Sequence, residues 1–358
     1  MEKSHILIIC IILIVGFFIL FDSSKMKTKD NVRNTENLTN ISKNSNNLKF
    51  LWAYQLQNAN IDEIANSSFT LIVIDYSKDG TENGKYSKKE IEKLKKAGKI
   101  PIAYISIGEA EDYRFYWDNE WLKNPPEWLG DENKEWMGCY AVKYWHPEWK
   151  RIIFKYLDKI IQQGFCGVYL DKVDEFEYWT EHGYDEDFTA KEMIKFIVEI
   201  ANYSRNKTNN FIIIPQNGER LLEYDRNGEL LNTVSGWAVE DLFYDETEKK
   251  SDEEIKERTK YLDKVKYSGK FVLVVDYVDD GTKTNENIKR IEDFINKSLD
   301  KGYIPYVAKS DRELDELNTW WLKLLINFYF LSFSYRVSKP YKMSKFYLRK
   351  SSHKPHTL

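Results

Sequence analysis

The sequence is poor in the residues that build metal sites and disulfide frameworks. Among its 358 residues there are only three cysteines and five histidines. Cys10, Cys139 and Cys166 have no zinc-type spacing, and the histidines form no ligand pattern. No glycine-rich phosphate loop follows any of the apolar runs described below. We therefore expect no metal, no disulfide framework and no nucleotide or other cofactor.

The charge of the chain is unevenly placed along the sequence. From Thr319 to the last residue there are eight lysines and arginines and no acidic residue. The whole chain carries −4 and this tail carries +8, so residues 1–318 carry −12. Nucleic acid is not an expected partner of this body, because binding of a phosphate backbone needs the opposite sign of charge.

Long hydrophobic runs are also absent, apart from one at the N-terminus. Residues 6–21 are apolar without a charge, and no A-x-A-like cleavage site follows. Residues 1–21 are therefore predicted to be a signal-anchor in the membrane, with a removed signal peptide as the alternative. Residues 22–48, rich in Asn, Ser, Thr and Lys, indicate a disordered linker. The basic residues in that linker oppose an outward orientation, but its tether-like composition favours a domain that is extracellular or secreted.

The C-terminal segment, residues 319–358, begins with an apolar pattern. Leu314, Leu317, Trp320, Trp321, Leu324, Leu325 and Phe328 recur at three- and four-residue spacing. This spacing predicts a helix that closes the main domain. The alternative is an interfacial membrane contact, which the following basic residues would strengthen on anionic lipid.

Residues 49–318 contain eight short apolar runs that alternate with helical patterns. The runs are 50–56, 69–76, 100–108, 167–171, 211–217, 234–240, 270–277 and 304–309, and the longer predicted helices are 87–97, 147–163, 187–205, 252–266 and 284–300. Apolar strands that alternate with helices indicate a parallel sheet. Eight such units in one domain fit a (β/α)8 TIM barrel better than an open doubly wound sheet.

Polar residues gather at the C-terminal ends of these predicted strands, where the active sites of such barrels lie. Five of the ends carry a carboxylate, namely Asp75, Glu109, Asp171, Glu240 and Asp276. The stretches 73–81 and 274–282 resemble each other, VIDYSKDGT and VVDYVDDGT. Each is typical of a tight turn after a strand, and we expect Asp75 and Asp276 to point into the barrel mouth.

Paired carboxylates beside aromatic walls favour glycoside hydrolysis, in which one acid protonates the leaving oxygen. Residues 110–149 hold six of the eleven tryptophans, and indole faces suit stacking on sugars. This segment is predicted to be a functional lid, with Trp149 in the core. It is also acidic, which indicates either a solvated surface or attraction of a cationic substrate such as a deacetylated amino-sugar polymer.

The motifs resemble a known family when they are taken in order. WAYQLQN, VIDY, IAYISIGEAEDYR, GFCGVYLDKVD, IIIPQNGERLL and SGWAVEDLFYD are similar to glycoside hydrolase family 114, the endo-α-1,4-polygalactosaminidase-like barrels, over residues 49–318. The resemblance implies hydrolysis of an α-1,4-linked, galactosamine-containing polysaccharide, with Asp171 and Glu240 as the catalytic pair. The sequence departs from the family at Lys172, where Asn is common, and at Cys166, where Asp is common.

Together these observations define a predicted site. Asp171 is assigned as nucleophile and Glu240 as acid/base, and the reverse assignment stays open. The predicted substrate-binding residues are Trp52, Tyr54, Asp75, Tyr104, Glu109, Asp174, Asn217, Trp237 and Asp276.

Two alternatives to a hydrolase remain. One is a non-catalytic carbohydrate-binding barrel at the cell surface. The other is a Schiff-base aldolase using Lys172 or Lys309, which needs a desolvated, neutral lysine. The carboxylates around Lys172 disfavour the second alternative, since they would keep its ammonium charged.

Overall fold

A computed structural model describes residues 50–325 of the chain. The predicted anchor (1–21), the predicted linker (22–48) and most of the basic tail lie outside the described residues. Among the helices that are described, none combines the length and the apolar character needed to cross a membrane. Residues 322–325 are helical, whereas Leu314 and Leu317 lie in an irregular segment. The predicted closing helix therefore does not begin at Leu314.

Thirteen strands are present in the described residues. Eight are the parallel strands β1 (Trp52–Gln55), β2 (Leu71–Ile74), β3 (Ile100–Ser106), β7 (Gly167–Asp171), β8 (Ile212–Pro215), β9 (Gly236–Glu240), β12 (Phe271–Asp279) and β13 (Ile304–Lys309). Five are short and antiparallel, namely β4 (Glu109–Glu111), β5 (Leu129–Glu132), β6 (Cys139–Val142), β10 (Tyr244–Asp245) and β11 (Glu248–Lys249). All eight strands predicted for the barrel are confirmed.

The eight parallel strands follow one another in barrel order. One run of paired strands is β1-β2-β3-β7-β8, and a second is β9-β12-β13. A bridge between Gln216 and Ala238 connects the two runs. At the other junction, the Trp52 indole on β1 donates a hydrogen bond to the carbonyl of Ile304 on β13, at 2.8 Å. The fold is the predicted (β/α)8 TIM barrel.

The barrel interior is filled by aromatic side chains from alternate strand positions. The rings of Tyr54 and Tyr169 lie 5.1 Å apart, and those of Trp52 and Tyr306 lie 5.7 Å apart. All nine residues of β12 are buried, because the strands face this packed interior on one side and helices on the other. Burial of this apolar surface is the main stabilising term of the domain.

Within residues 50–318, eight α-helices surround the strands. They are α1 (Ile61–Asn66), α2 (Lys88–Lys96), α3 (Pro147–Gln163), α4 (Glu175–Glu181), α5 (Glu186–Lys207), α6 (Glu229–Thr233), α7 (Asp252–Tyr267) and α8 (Asn285–Lys301). Ser87 and Ser251 form capping boxes, and Gly164 and Gly302 end their helices in the left-handed conformation. Helices α2, α5, α7 and α8 carry acids in the first turn and lysine or arginine in the last. The helix dipole favours this distribution, which places acids at the mouth end of the barrel.

The segment predicted as a lid is a small antiparallel sheet with strand order β4-β6-β5. Most of its tryptophans pack against one another and against α3. Ring centroids lie 5.1 Å apart for Trp117–Trp121, 4.9 Å for Trp121–Trp128 and 5.2 Å for Trp128–Trp149. Trp149 is fully buried, as predicted, whereas Trp136 is 56% exposed. The cluster mainly stabilises the inserted sheet rather than forming an open wall of indole faces.

Candidate active site

Asp171 and Glu240 end strands β7 and β9, and each is held by a tyrosine hydroxyl. Tyr104 donates to Asp171 Oδ2 at 2.6 Å, and Tyr277 donates to Glu240 Oε1 at 2.5 Å. The backbone N–H of Lys172 donates to the other Asp171 oxygen at 2.7 Å. The negative charge of Asp171 acts on Glu240, so the two carboxylates belong to one mouth at the C-terminal ends of the strands.

The pKa values of the two carboxylates are separated. Burial raises the pKa of Asp171 to about 6, while the Tyr104 hydrogen bond and the charge of Lys172 lower it. Burial and the charge of Asp171 raise the pKa of Glu240 to about 8, against the hydrogen bond from Tyr277. Near neutral pH, Asp171 is therefore mainly ionised and Glu240 mainly protonated. Two carboxyl groups whose environments push their pKa values apart are suited to separate base and acid roles.

Asn217 and Arg258 fix the backbone and side chain of Glu240. The Asn217 amide oxygen accepts from the Glu240 N–H at 3.0 Å, and its nitrogen lies 3.4 Å from Glu240 Oε2. Arg258, on α7, donates to the carbonyl oxygens of Glu240 and Asp241 at 2.8 and 3.0 Å. Arg258 is itself paired with Glu219, at 2.5 Å. The predicted role of Asn217 becomes more specific here, since it orients the acid.

A second charged cluster lies next to Asp171. Lys172 Nζ is 3.0 Å from Glu109 Oε1 and 3.8 Å from Glu175 Oε2, and Asn133 donates to Glu109 at 2.8 Å. Burial alone would lower the pKa of Lys172, but the charges of Asp174, Glu109 and Glu175 raise it. Burial raises the pKa of Glu175 to about 9, against the charge of Lys172, which lowers it.

Neither lysine of the aldolase alternative is suited to Schiff-base formation. Lys172 is held as an ammonium by the cluster around it. Lys309 donates a hydrogen bond to Glu316 at 2.8 Å, and this bond raises the pKa of Lys309. A Schiff-base nucleophile needs the opposite shift of the lysine pKa.

Four of the predicted substrate-binding residues are buried among other protein groups. Asp75 is buried and lies 2.7 Å from Arg114 Nη1, and Asp276 accepts the backbone N–H groups of Leu242, Phe243 and Tyr244, each at 2.9 Å. Trp52 and Trp237 are fully buried, and the Trp237 indole donates to the carbonyl of Asn217 at 2.9 Å. Asp75, Asp276, Trp52 and Trp237 thus support the mouth without opening onto it, which corrects the prediction for all four.

The other predicted residues lie at or next to the mouth. Tyr54 is on its floor, where burial and the charge of Glu240 raise the pKa of its hydroxyl. Glu109 lies next to the mouth, where it forms an ion pair with Lys172, the residue that follows Asp171. Asp174, Asn217 and Glu240 share a cavity of about 450 Å³, whose lining is completed by Glu177, Gly218, Glu219, Arg220, Asp241, Lys250, Glu254, Glu257, Arg258 and Tyr261. Besides Glu240, six carboxylates and three cations therefore border this space.

Three neighbouring strand ends are followed by a residue in the left-handed region. Lys172 follows Asp171 with a φ of 60°, and Asp241 follows Glu240 with a φ of 50°. Asn217, after the end of β8, has a φ of 56°. None of the three is a glycine, although this region favours glycine. Each of these turns lies at the C-terminal end of its strand, at the same end of the barrel as Asp171 and Glu240.

Three residues of the site were not predicted from sequence. Tyr277 carried a signal, because it ends a predicted strand next to Asp276. Arg258 had none, since it lies in a charged amphipathic helix that is typical of a solvated surface. Glu175 begins α4 and is also buried, and the sequence does not distinguish such a residue from an exposed helix-start carboxylate. Within residues 50–325, no cluster of three or more His, Cys, Asp or Glu side chains could hold a metal ion.

A TIM barrel whose mouth holds one ionised and one protonated carboxyl group has the features of a glycoside hydrolase. Comparison with known proteins agrees, and the chain belongs to glycoside-hydrolase family GH114, whose family model matches residues 35–325. The uncharacterized protein MJ1477 of Methanocaldococcus jannaschii is 86% identical over 335 residues, which cover 91% of this chain and 97% of the relative. A Thermotoga maritima protein is 54% identical over 268 residues, covering 75% and 83%.

Two solved structures share the fold. The glycoside hydrolase domain of PelA from Pseudomonas aeruginosa has a TM-score of 0.58 and 17% identity, with 76% of this chain and 98% of that domain covered. Ega3 from Aspergillus fumigatus, in complex with galactosamine, has a TM-score of 0.55 and 17% identity, with 76% and 96% covered. At this level of identity the likeness establishes the fold.

Proposed function

We propose that this enzyme cleaves a cationic, α-1,4-linked galactosamine-containing polysaccharide by a two-carboxylate mechanism. The observation that carries the proposal is the pair Asp171 and Glu240, held at one mouth with pKa values of about 6 and about 8. An ionised and a protonated carboxyl group are what glycoside hydrolysis requires at neutral pH.

The order of these pKa values favours one assignment of roles. Glu240, protonated at neutral pH, donates its proton to the leaving glycosidic oxygen. Asp171, ionised at the same pH, acts as the nucleophile on the anomeric carbon. Tyr104 and the Lys172 N–H hold the Asp171 carboxylate in place, and Tyr277 holds Glu240. Water, which gives a proton to Glu240, then attacks the anomeric carbon of the glycosyl–Asp171 ester. This breaks the bond to Asp171, releases the sugar and returns Glu240 to its protonated state.

The charge around the cavity supports an amine-bearing substrate. Besides Glu240, six carboxylates and three cations border this space, and Glu254 and Glu257 project from α7 without an ion pair of their own in the described residues. A focused negative potential raises the local concentration of a cationic ligand. Galactosamine is the ligand of the structurally similar Ega3, and its free amine is positively charged at neutral pH.

The substrate proposal predicts cleavage that depends on free amines. With partly deacetylated galactosaminogalactan, we expect new reducing ends to appear with time. After chemical N-acetylation of the same polymer, we expect the rate to fall by about tenfold or more, because the cationic group is lost. Reducing-end assays and mass spectrometry of the products measure both. Chitosan serves as the control for a β-linked amino-sugar polymer of similar charge, on which we expect no cleavage.

Two results would contradict this proposal. Faster cleavage of the N-acetylated polymer would exclude amine recognition. Saturable binding of all these polymers with no release of reducing ends from any of them would instead support the non-catalytic carbohydrate-binding barrel.

The two pKa values predict a bell-shaped pH profile. We expect kcat/KM to rise as Asp171 loses its proton, near pH 6, and to fall as Glu240 loses its proton, near pH 8. The Tyr277 hydrogen bond lowers the pKa of Glu240, so Tyr277→Phe moves the alkaline limb to higher pH. Tyr104→Phe removes a bond that lowers the pKa of Asp171, and it moves the acidic limb to higher pH.

Kinetics across pH 4–10 with one soluble substrate test this prediction, with Tyr184→Phe, away from both carboxylates, as the control. If Tyr277→Phe moved the acidic limb and Tyr104→Phe the alkaline one, the roles of Asp171 and Glu240 would be reversed.

A further inference from the structure

A second cavity lies at the opposite end of the barrel from Asp171 and Glu240. Its volume is about 620 Å³, and it sits at the N-terminal ends of β8, β9 and β12. The polar side chains around it include those of Arg205, Asn209, Asn232, Thr233, Ser235 and Lys270. In the part of the chain that the structure describes, no carboxylate belongs to the lining. This is unusual in a body of net charge −12.

The cavity forms where the two runs of barrel strands meet. Near their C-terminal ends, β8 and β9 are joined by the isolated bridge between Gln216 and Ala238. Toward the other end, the Ile213 N–H donates to the Ser235 hydroxyl at 3.1 Å, and the Ser235 N–H donates to the Ile213 carbonyl at 2.8 Å. Since regular strand pairing is interrupted at this junction, side chains border the space below it.

Two cations reach the cavity without an acidic partner among the residues that the structure describes. Arg205 donates to the carbonyl oxygens of Phe211 and Thr233, at 3.2 and 2.8 Å. Lys270 donates to those of Val234 and Asn232, at 2.5 and 3.3 Å. Within residues 50–325, neither side chain forms an ion pair. The guanidinium has five N–H groups and the ammonium three, so both retain donors after these bonds are made.

The electrostatic environment of the two side chains also favours an anion. Burial lowers the pKa of Arg205, and burial together with the positive charge of Arg205 lowers the pKa of Lys270. Two other buried arginines of the domain are compensated differently. Arg114 and Arg258 each contact a carboxylate, at 2.7 and 2.5 Å. An anion in the cavity would stabilise the buried positive charges of Arg205 and Lys270, as the carboxylates stabilise those of Arg114 and Arg258.

We propose that this cavity is an oxyanion site that binds a phosphate group between Arg205 and Lys270. The bidentate fork of an arginine beside a lysine ammonium is a common arrangement for phosphate. Free phosphate and the phosphodiester of a lipid headgroup share this chemistry. A lipid headgroup is a relevant source because residues 1–21, the predicted membrane anchor, precede Phe50 in the sequence. The Phe50 ring lies 6.4 Å from that of Phe271, which lines the cavity.

Isothermal titration calorimetry of the full chain in a neutral detergent tests the site. Inorganic phosphate and dihexanoyl-phosphatidylglycerol below its micellar concentration are titrated separately, with the ionic strength held constant by sodium chloride. We expect saturable binding at one site per chain for at least one of the two. Lys270→Met should weaken this binding by about tenfold or more, the usual effect of one charge-assisted hydrogen bond.

Two further variants separate binding from folding. Lys99→Met is the matched control, because Lys99 also donates to two carbonyl oxygens, of Ser67 and Phe69, but does not line the cavity. It should keep the full affinity. Asn232→Asp leaves both cations in place and adds a carboxylate to the lining, and it should weaken binding as Lys270→Met does.

Binding of phosphate alone identifies a free oxyanion as the ligand, and binding of the lipid alone identifies a headgroup. No saturable binding of either, or equal affinity in wild type, Lys270→Met and Asn232→Asp, overturns the proposal. Because this cavity and the catalytic mouth lie at opposite ends of the barrel, that outcome leaves the proposed hydrolysis untouched.

Discussion

Asp171→Asn and Glu240→Gln should each reduce kcat/KM on the polymer by about 10³-fold, within the range of general acid–base contributions. Asn at 171 keeps the shape of the side chain but has no anionic oxygen to attack the anomeric carbon. Gln at 240 has no proton to donate to the leaving oxygen. Initial rates of reducing-end release measure both effects, and circular dichroism shows whether the variants are folded.

An activated substrate separates the two roles. The nitrophenolate group of a nitrophenyl glycoside leaves without being protonated. On this substrate Glu240→Gln should therefore recover much of its kcat/KM, whereas Asp171→Asn should not. Asp158→Asn and Glu199→Gln, partly exposed residues that pair with Lys207 and Lys150 on the outer helices, are the matched controls and should keep wild-type rates. Full activity in Asp171→Asn or Glu240→Gln would show that the catalytic pair lies elsewhere.

Arg114→Met should produce the largest loss of stability, about 3–5 kcal/mol in the free energy of unfolding, as for other buried ion pairs that lose one partner. The Arg114 guanidinium is almost completely buried, 2.7 Å from both Asp75 and Glu111. Without it, two buried carboxylates lose their positive partner. Burial already raises the pKa of Asp75 to about 6, although Arg114 lowers it.

Guanidinium chloride unfolding, followed by tryptophan fluorescence, measures this change as a lower midpoint. Arg151→Met is the matched control, since Arg151 forms an exposed ion pair with Glu148 at 3.5 Å, and such pairs contribute little. A midpoint for Arg114→Met equal to that of Arg151→Met would mean that the buried network is not a stabilising element.

The eight barrel strands were predictable because a strand that is buried on both faces has a continuous run of apolar residues in the sequence. Runs such as FVLVVDYVD in β12 are apolar over most of their length, and glycines mark the ends of helices before them. The sheet β4-β6-β5 gave no such signal. Its strands, EAE, LGDE and CYAV, are short and partly charged, and the pairing of β4 with β6 joins residues as far apart in the sequence as Glu109 and Ala141.

The candidate site was predictable only in part, because a strand-end carboxylate can serve two purposes. Sequence position places Asp171, Glu240, Asp75 and Asp276 at the same end of the barrel. It does not tell which of them meets solvent. Asp276 turns to three backbone N–H groups and Asp75 to Arg114, and these partners come from loops whose path depends on the whole fold. The same holds for Trp237, whose indole is bonded inside the domain.

At the three left-handed residues around the mouth, the needs of catalysis conflict with the stability of the fold. This conformation costs most side chains about 1–2 kcal/mol, and Asn and Asp less. Lys172, Asn217 and Asp241 together therefore reduce the roughly 5–15 kcal/mol that keeps a typical domain folded. Glycine would relieve that strain at each position. It would also remove the Lys172 ammonium, the Asn217 amide and the Asp241 carboxylate from the rim. The mouth is thus the part of the barrel where a gain in heat resistance and a loss of turnover would arise from the same substitution.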